Sequence, residues 1–182
     1  MTNITNLGCR CGKVSLRLTG LPILTADCTC DSCRTAGAFL EKLPGAEPLL
    51  DQYGASRLVL YRKDRFACLS GQEQLKEYRL RPESPTRRVV AICCNSAMFL
   101  EFTKGHWIDI YGQRWLPGAM PQPAFRTMTM DLPARTELPD NIPNSRRQSF
   151  AFFAKILWAW VAMRFKTPKI TCVNGTFDAS ER

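Results

Sequence analysis

Seven of the nine cysteines in this 182-residue chain fall into three short groups, and the groups have the spacing of metal ligands. In Cys9-Arg10-Cys11-Gly12 the two sulfurs stand two residues apart. On an extended segment they point to the same side and can converge on one ion, with Gly12 allowing a tight turn beside them. Cys28-Thr29-Cys30-Asp31-Ser32-Cys33 adds three more, and its CxxC half has the spacing by which a short turn aims two thiolates at one metal. Cys93-Cys94 supplies one or two further sulfurs from a distant strand. Zinc, one or two ions, is the expected cofactor. Cys68 and Cys172 stand alone and are expected as separate, buried apolar thiols. The single histidine, His106, lies outside every cysteine group. This gives little support to a Cys–His nucleophile or a His-rich zinc site, and the residue is expected to be structural.

The elements that must position these sulfurs are short strands. Val14, Leu16 and Leu18 alternate with Lys13, Ser15, Arg17 and Thr19, which predicts a half-buried strand leaving a Gly-marked turn. Further strands are predicted over 57–61, 74–80 and 88–94, the last continuing after a turn into 98–103. Frequent Pro and Gly between them argue for a mainly β domain over 1–110. Residues 111–148 hold Pro117, Pro121, Pro123, Pro133, Pro139 and Pro143 and read as an extended connector. An apolar helix is predicted over 149–167, capped by Ser149 and stopped before Pro168, with a tail over 168–182. Its apolar stretch, Ser149 to Phe165, spans about 24 Å, shorter than the ~30 Å hydrocarbon core, and it carries Lys155, so a membrane span is not expected.

The chain is 45% apolar and 23% charged, with 25 Lys and Arg against 16 Asp and Glu, a net +9. Residues 111–182 hold 10 basic and 5 acidic residues, the denser basic part. No GxGxxG or GxxxxGK loop is present, which argues against a nucleotide enzyme. Arg87-Arg88 and Arg146-Arg147 are only short doublets, so nucleic acid is an unlikely partner. The start of the chain is polar and cysteines this closely spaced suit a reducing compartment, so a cytoplasmic location is expected. The apolar helix is expected to pack on its own domain, on a second copy, or at a membrane surface, with Trp158 and Trp160 among headgroups and Lys155, Arg164, Lys166 and Lys169 on anionic lipid.

The order Gly8-Cys9-x-Cys11-Gly12-x-Val14, Cys28-x-Cys30-x-x-Cys33-Arg34 with Gly37, Gly71 with Leu75 and Tyr78-Arg79, then Cys94-x-Ser96, resembles the glutathione-dependent formaldehyde-activating enzyme family. That family shares its fold with the centromere protein V domain. The resemblance covers about residues 7–103 and implies small coiled β-sheets held by zinc. It further implies that Cys9 and Cys11 join a late cysteine pair in a closed structural site. Cys28, Cys30 and Cys33 would then hold a second, reactive zinc with an open position for glutathione.

The late motif departs from the pattern, because Ala91 stands where a first cysteine would fall and Asn95 where the family has glycine. Cys93 with Cys94 can substitute only if a bulge or turn overrides the divergence of adjacent side chains on a strand. Three cysteinates leave a zinc centre at −1, so a nearby cation is needed, and Arg34 is the candidate. The expected activity is that of a carbon–sulfur lyase joining glutathione, or another small thiol, to formaldehyde or another small electrophile. The alternative is a non-catalytic zinc-stabilised module whose basic, apolar C-terminal extension contacts a protein or membrane surface.

Overall fold

A computed structural model describes residues 3–177. The described residues form ten strands, β1 (Ile4–Gly8), β2 (Ser15–Thr19), β3 (Leu24–Cys28), β4 (Ser56–Arg62), β5 (Phe66–Ser70), β6 (Leu75–Tyr78), β7 (Thr86–Ala91), β8 (Ser96–Phe102), β9 (Trp107–Tyr111) and β10 (Phe125–Thr127). Two α-helices accompany them, α1 (Asp31–Leu40) and α2 (Phe150–Ala162). The fold is mainly β with a C-terminal apolar helix, as the strand spacing predicted. β1, β2 and β5 make a three-stranded sheet, and the other seven make a second sheet in the order β10-β3-β4-β9-β8-β7-β6.

Alternation along the strands divides the interior in two. Val14, Leu16 and Leu18 are wholly buried, and with Val59, Met98, Phe99, Ile108 and Ile110 they fill the space between the two sheets. The intervening residues of the large sheet, among them Leu58, Leu60, Leu100 and Tyr111, face α1 and α2. β3 escaped prediction because Thr25 and Asp27 break its apolar run. Both are buried, and Asp27 is satisfied by a two-point pair with Arg57 at 2.6 and 2.9 Å. β10 adds to β3 in parallel register, Thr127 opposite Cys28, from within the Pro-rich segment.

Ser149 caps α2 by accepting a hydrogen bond from the Phe152 N–H at 3.2 Å. Ile156, Ala159 and Met163 are buried beneath the helix. His106 is structural. Its Nε2 donates to the Ile156 carbonyl at 2.8 Å, and its ring stacks on Trp160. Among the described residues no helix is long and apolar enough to cross a membrane.

After α2 the chain returns along β6, where Asn174 N–H donates to Leu75 O and Phe177 N–H to Glu77 O. The return passes beside β5 and corrects one expectation: Cys68 and Cys172 are not separate thiols but are joined in a disulfide.

Gly71 starts the short turn between β5 and β6 at φ 72°, and a Cβ there would collide with the Lys13 carbonyl. Gly71→Ala is therefore expected to lose about 2 kcal/mol of stability, combining left-handed strain with the clash, as measured by urea unfolding.

Candidate metal centres

Two groups of cysteines have ligand atoms mutually within 4.8 Å: Cys9, Cys11, Cys93 and Cys94, and Cys28, Cys30 and Cys33. In the first, Cys9 and Cys11 sit on the knuckle between β1 and β2. Gly12 takes φ 78° and its N–H donates to Cys9 O at 3.0 Å. The Val14 N–H points at Cys9 Sγ, 3.3 Å away, a donor that favours a thiolate.

Cys93 and Cys94 lie on the turn between β7 and β8, not on a strand. The Cys94 N–H closes this turn on Ala91 O at 3.3 Å, and Asn95 leaves it at φ 54°. Asparagine is the side chain that best tolerates the left-handed conformation after glycine, so the substitution preserves the turn. The turn lets adjacent cysteines converge.

Sulfur separations of 3.6 Å (Cys9–Cys11), 3.7 Å (Cys9–Cys93), 3.4 Å (Cys11–Cys93) and 3.9 Å (Cys93–Cys94) result. Four thiolates around tetrahedral zinc, with bonds of about 2.3 Å, stand about 3.8 Å apart, so the donor set fits that ion. Burial pushes the Cys9 and Cys93 thiols up, disfavouring several thiolates here without a cation. Ser96 braces the site, accepting from the Arg10 N–H at 3.1 Å and lying 3.2 Å from Cys94 Sγ.

The second group spans the end of β3 and the first turn of α1. The Cys33 and Arg34 N–H groups both donate to Cys30 O at 3.0 Å, while Thr29 is held by Thr127 O through its N–H (3.1 Å) and its hydroxyl (2.9 Å). The three thiols ionise against one another. The Cys28 and Cys33 thiols stabilise a Cys30 thiolate and hold its pKa far down, whereas the bond to Cys30 raises Cys28 to about 12, and bonds to Cys28 and then Cys30, with burial, push Cys33 well up. One negative charge satisfies the trio until a cation compensates the others. The three donors fit a thiophilic ion that keeps a further position.

The trio opens on a cavity of about 230 Å³, lined also by Asp109, Thr127, Leu100, Phe102, Trp107 and Phe152. Asp109 is buried on β9, and desolvation raises its carboxyl to about 7 despite a hydrogen bond from Trp107 and the field of Lys63. The Thr127 hydroxyl is buried with no hydrogen-bond partner. Arg34 binds Asp131 O at 2.8 Å and lies 3.7 Å from the Asp31 carboxylate. A second cation, Arg88, is buried and makes no ion pair among the described residues. Its guanidinium donates to Ser32 O, between Cys30 and Cys33, at 2.8 Å.

Sequence reasoning missed Asp109, Thr127 and Arg88. The available signal was an isolated acid in the apolar strand Trp-Ile-Asp-Ile-Tyr, where Asp109 shares a face with Trp107 and Tyr111.

Residues 4–44, which include five of the seven clustered cysteines, match the model of the family described as glutathione-dependent formaldehyde-activating enzyme. No curated protein matches the chain. A crystal structure of a Rhodobacter sphaeroides protein aligns with 15% identity and a TM-score of 0.43, covering 64% of this chain and 92% of that one.

Proposed function

From the family assignment that this match supports, we propose that the protein binds two zinc ions and joins glutathione, or a similar small thiol, to formaldehyde or another small electrophile. The observation that carries this reading is the contrast between a closed four-cysteine set and a three-cysteine set opening on a cavity. Cys9, Cys11, Cys93 and Cys94 would hold a structural ion. Cys28, Cys30 and Cys33 would hold the other, with Arg34 and Arg88 offsetting the negative charge of the cysteinates. Zinc bound there stabilises a substrate thiolate at neutral pH.

The cavity is smaller than the ~300–1,000 Å³ usual for ligand pockets. It suits an aldehyde and the CH₂SH end of a thiol, with the rest of a tripeptide outside. In the reaction the sulfur–carbon bond forms, the carbonyl π bond breaks, and the thiol proton ends on the former carbonyl oxygen. Asp109 is the group placed to carry that proton, and the unpartnered Thr127 hydroxyl can donate to the oxygen.

The test is metal analysis with glutathione titration, followed by adduct formation across pH. The parent should hold two zinc ions and bind glutathione. Its rate should rise as the Asp109 carboxyl ionises near pH 7. Asp109→Asn should remove this rise and lower the rate by about a hundredfold.

Stability gives a separate readout. A carboxyl whose folded pKa lies at about 7, above its ordinary 3.8, makes the protein less stable as pH rises between those values. Asp109→Asn should flatten that slope. Absence of glutathione binding, or a fourth protein ligand closing the trio, would reject the enzymatic reading.

A second reading, a non-catalytic zinc-stabilised module acting through its C-terminal extension, draws on the exposed apolar face of α2. It expects zinc without thiol binding.

A further inference from the structure

A helix that is apolar all round is normally buried all round. α2 is apolar at every position but Lys155 and is buried on one side only. Ile156, Ala159 and Met163 face the domain, while Phe150, Phe153, Leu157, Trp158 and Val161 are exposed. Their spacing of i, i+3, i+7, i+8 and i+11 puts all five on one stripe opposite the buried one. Phe150 is 89% and Trp158 74% exposed, and Phe165, past the last turn, is exposed as well. Large exposed apolar patches mark interaction surfaces.

The charge around this stripe identifies what covers it. Between Asp140 and Asp178 the sequence has no acidic residue, but it has Arg146, Arg147, Lys155, Arg164, Lys166 and Lys169. Next to α2 a groove lined by Leu21, Trp158, Lys155 and Arg65 continues the same chemistry, while Arg62 on its wall is paired with Asp64 at 2.5 Å. Leu21, 68% exposed on the turn between β2 and β3, adds to the apolar surface there. A second copy seated on this face would bring the basic side chains of this segment toward their own copies with no acidic residue of the segment to offset them, which opposes self-association. An anionic bilayer supplies what the face lacks, an apolar interior for the aromatic stripe and negative headgroups for its basic rim.

We propose that the outer face of α2 docks the protein on an anionic membrane surface, with Phe150, Phe153, Leu157 and Trp158 in the headgroup and acyl boundary. The helix lies in the plane of the surface. Its inner face stays on the domain, where Phe152 forms one wall of the cavity beside Cys28, Cys30 and Cys33.

The test uses the full chain with large vesicles, either phosphatidylcholine alone or one part phosphatidylserine to two parts phosphatidylcholine. Co-sedimentation with the mixed vesicles, weak binding to phosphatidylcholine alone, and loss of binding with added salt are expected. Phe153→Ser with Trp158→Ser should weaken binding on the order of a hundredfold without altering the fold, because both side chains are exposed. Lys155→Glu with Lys166→Glu should weaken it by about tenfold or more.

Equal sedimentation with and without vesicles overturns the proposal. So does a parent chain that is a stable dimer and becomes monomeric in the Phe153→Ser, Trp158→Ser variant, which would assign the face to a second copy. Neither result bears on zinc or glutathione binding.

Discussion

Cys9→Ser is expected to leave the chain without cooperative tertiary structure at neutral pH, and a strong chelator should do the same to the parent. Cys9 and Cys11 sit on the knuckle of the small sheet, and Cys93 and Cys94 on a turn of the large one. An ion shared by all four would clamp one sheet to the other. Structural zinc contributes about 10–16 kcal/mol in small domains. That is as large as the whole ~5–15 kcal/mol stability of a typical fold, so the sheets should not hold together without it.

Cys30→Ser supplies the contrast. The trio lies at the end of β3, whose neighbourhood is held independently by Thr29 on Thr127 and Arg88 on Ser32. This variant should lose one zinc yet keep its near-ultraviolet circular dichroism. A Cys9→Ser protein that melts cooperatively with unchanged zinc content would show that the four sulfurs merely pack.

The second large effect lies away from the sulfurs. Lys63 and Glu101 have side chains 0% and 3% exposed and meet at 2.5 Å. Arg87 lies 2.6 Å from the other Glu101 oxygen and reaches Glu77 at 3.0 Å. Glu101→Gln leaves the Lys63 ammonium with the carbonyls of Phe102 and Thr103, at 3.3 and 3.5 Å, and no carboxylate. An uncompensated buried charge costs about 3–5 kcal/mol, which denaturant titration should resolve readily. Replacing both partners, Lys63→Met with Glu101→Leu, should recover much of that loss, because apolar side chains carry no desolvation penalty. A single variant as stable as the parent would mean that water reaches Lys63.

The parts of this molecule that could be read from its sequence are those in which a local pattern determines the outcome. The wholly buried Val14, Leu16 and Leu18, the Ser149 cap and the three cysteine groups each depend on residues a few positions apart. The convergence of Cys93 and Cys94 was legible as a condition, that a turn be present, and the left-handed Asn95 meets it.

What escaped depends on which strands become neighbours. Asp109 reaches the trio's cavity because β9 sits between β4 and β8, and Thr127 because β10 pairs with β3. Strand order of this kind leaves no mark on adjacent residues. The Cys68–Cys172 bond, between residues 104 positions apart, rests likewise on the return of the chain after α2.

The parallel pairing of β10 with β3 also sets the order of assembly. Thr127 follows Thr29 by 98 residues, so a nascent chain displays Cys28, Cys30 and Cys33 on the ribosome long before the strand that completes their surroundings has been translated. Until then these thiols have no wall on that side, and any loading of an ion there would compete with oxidation and with capture by other thiophiles.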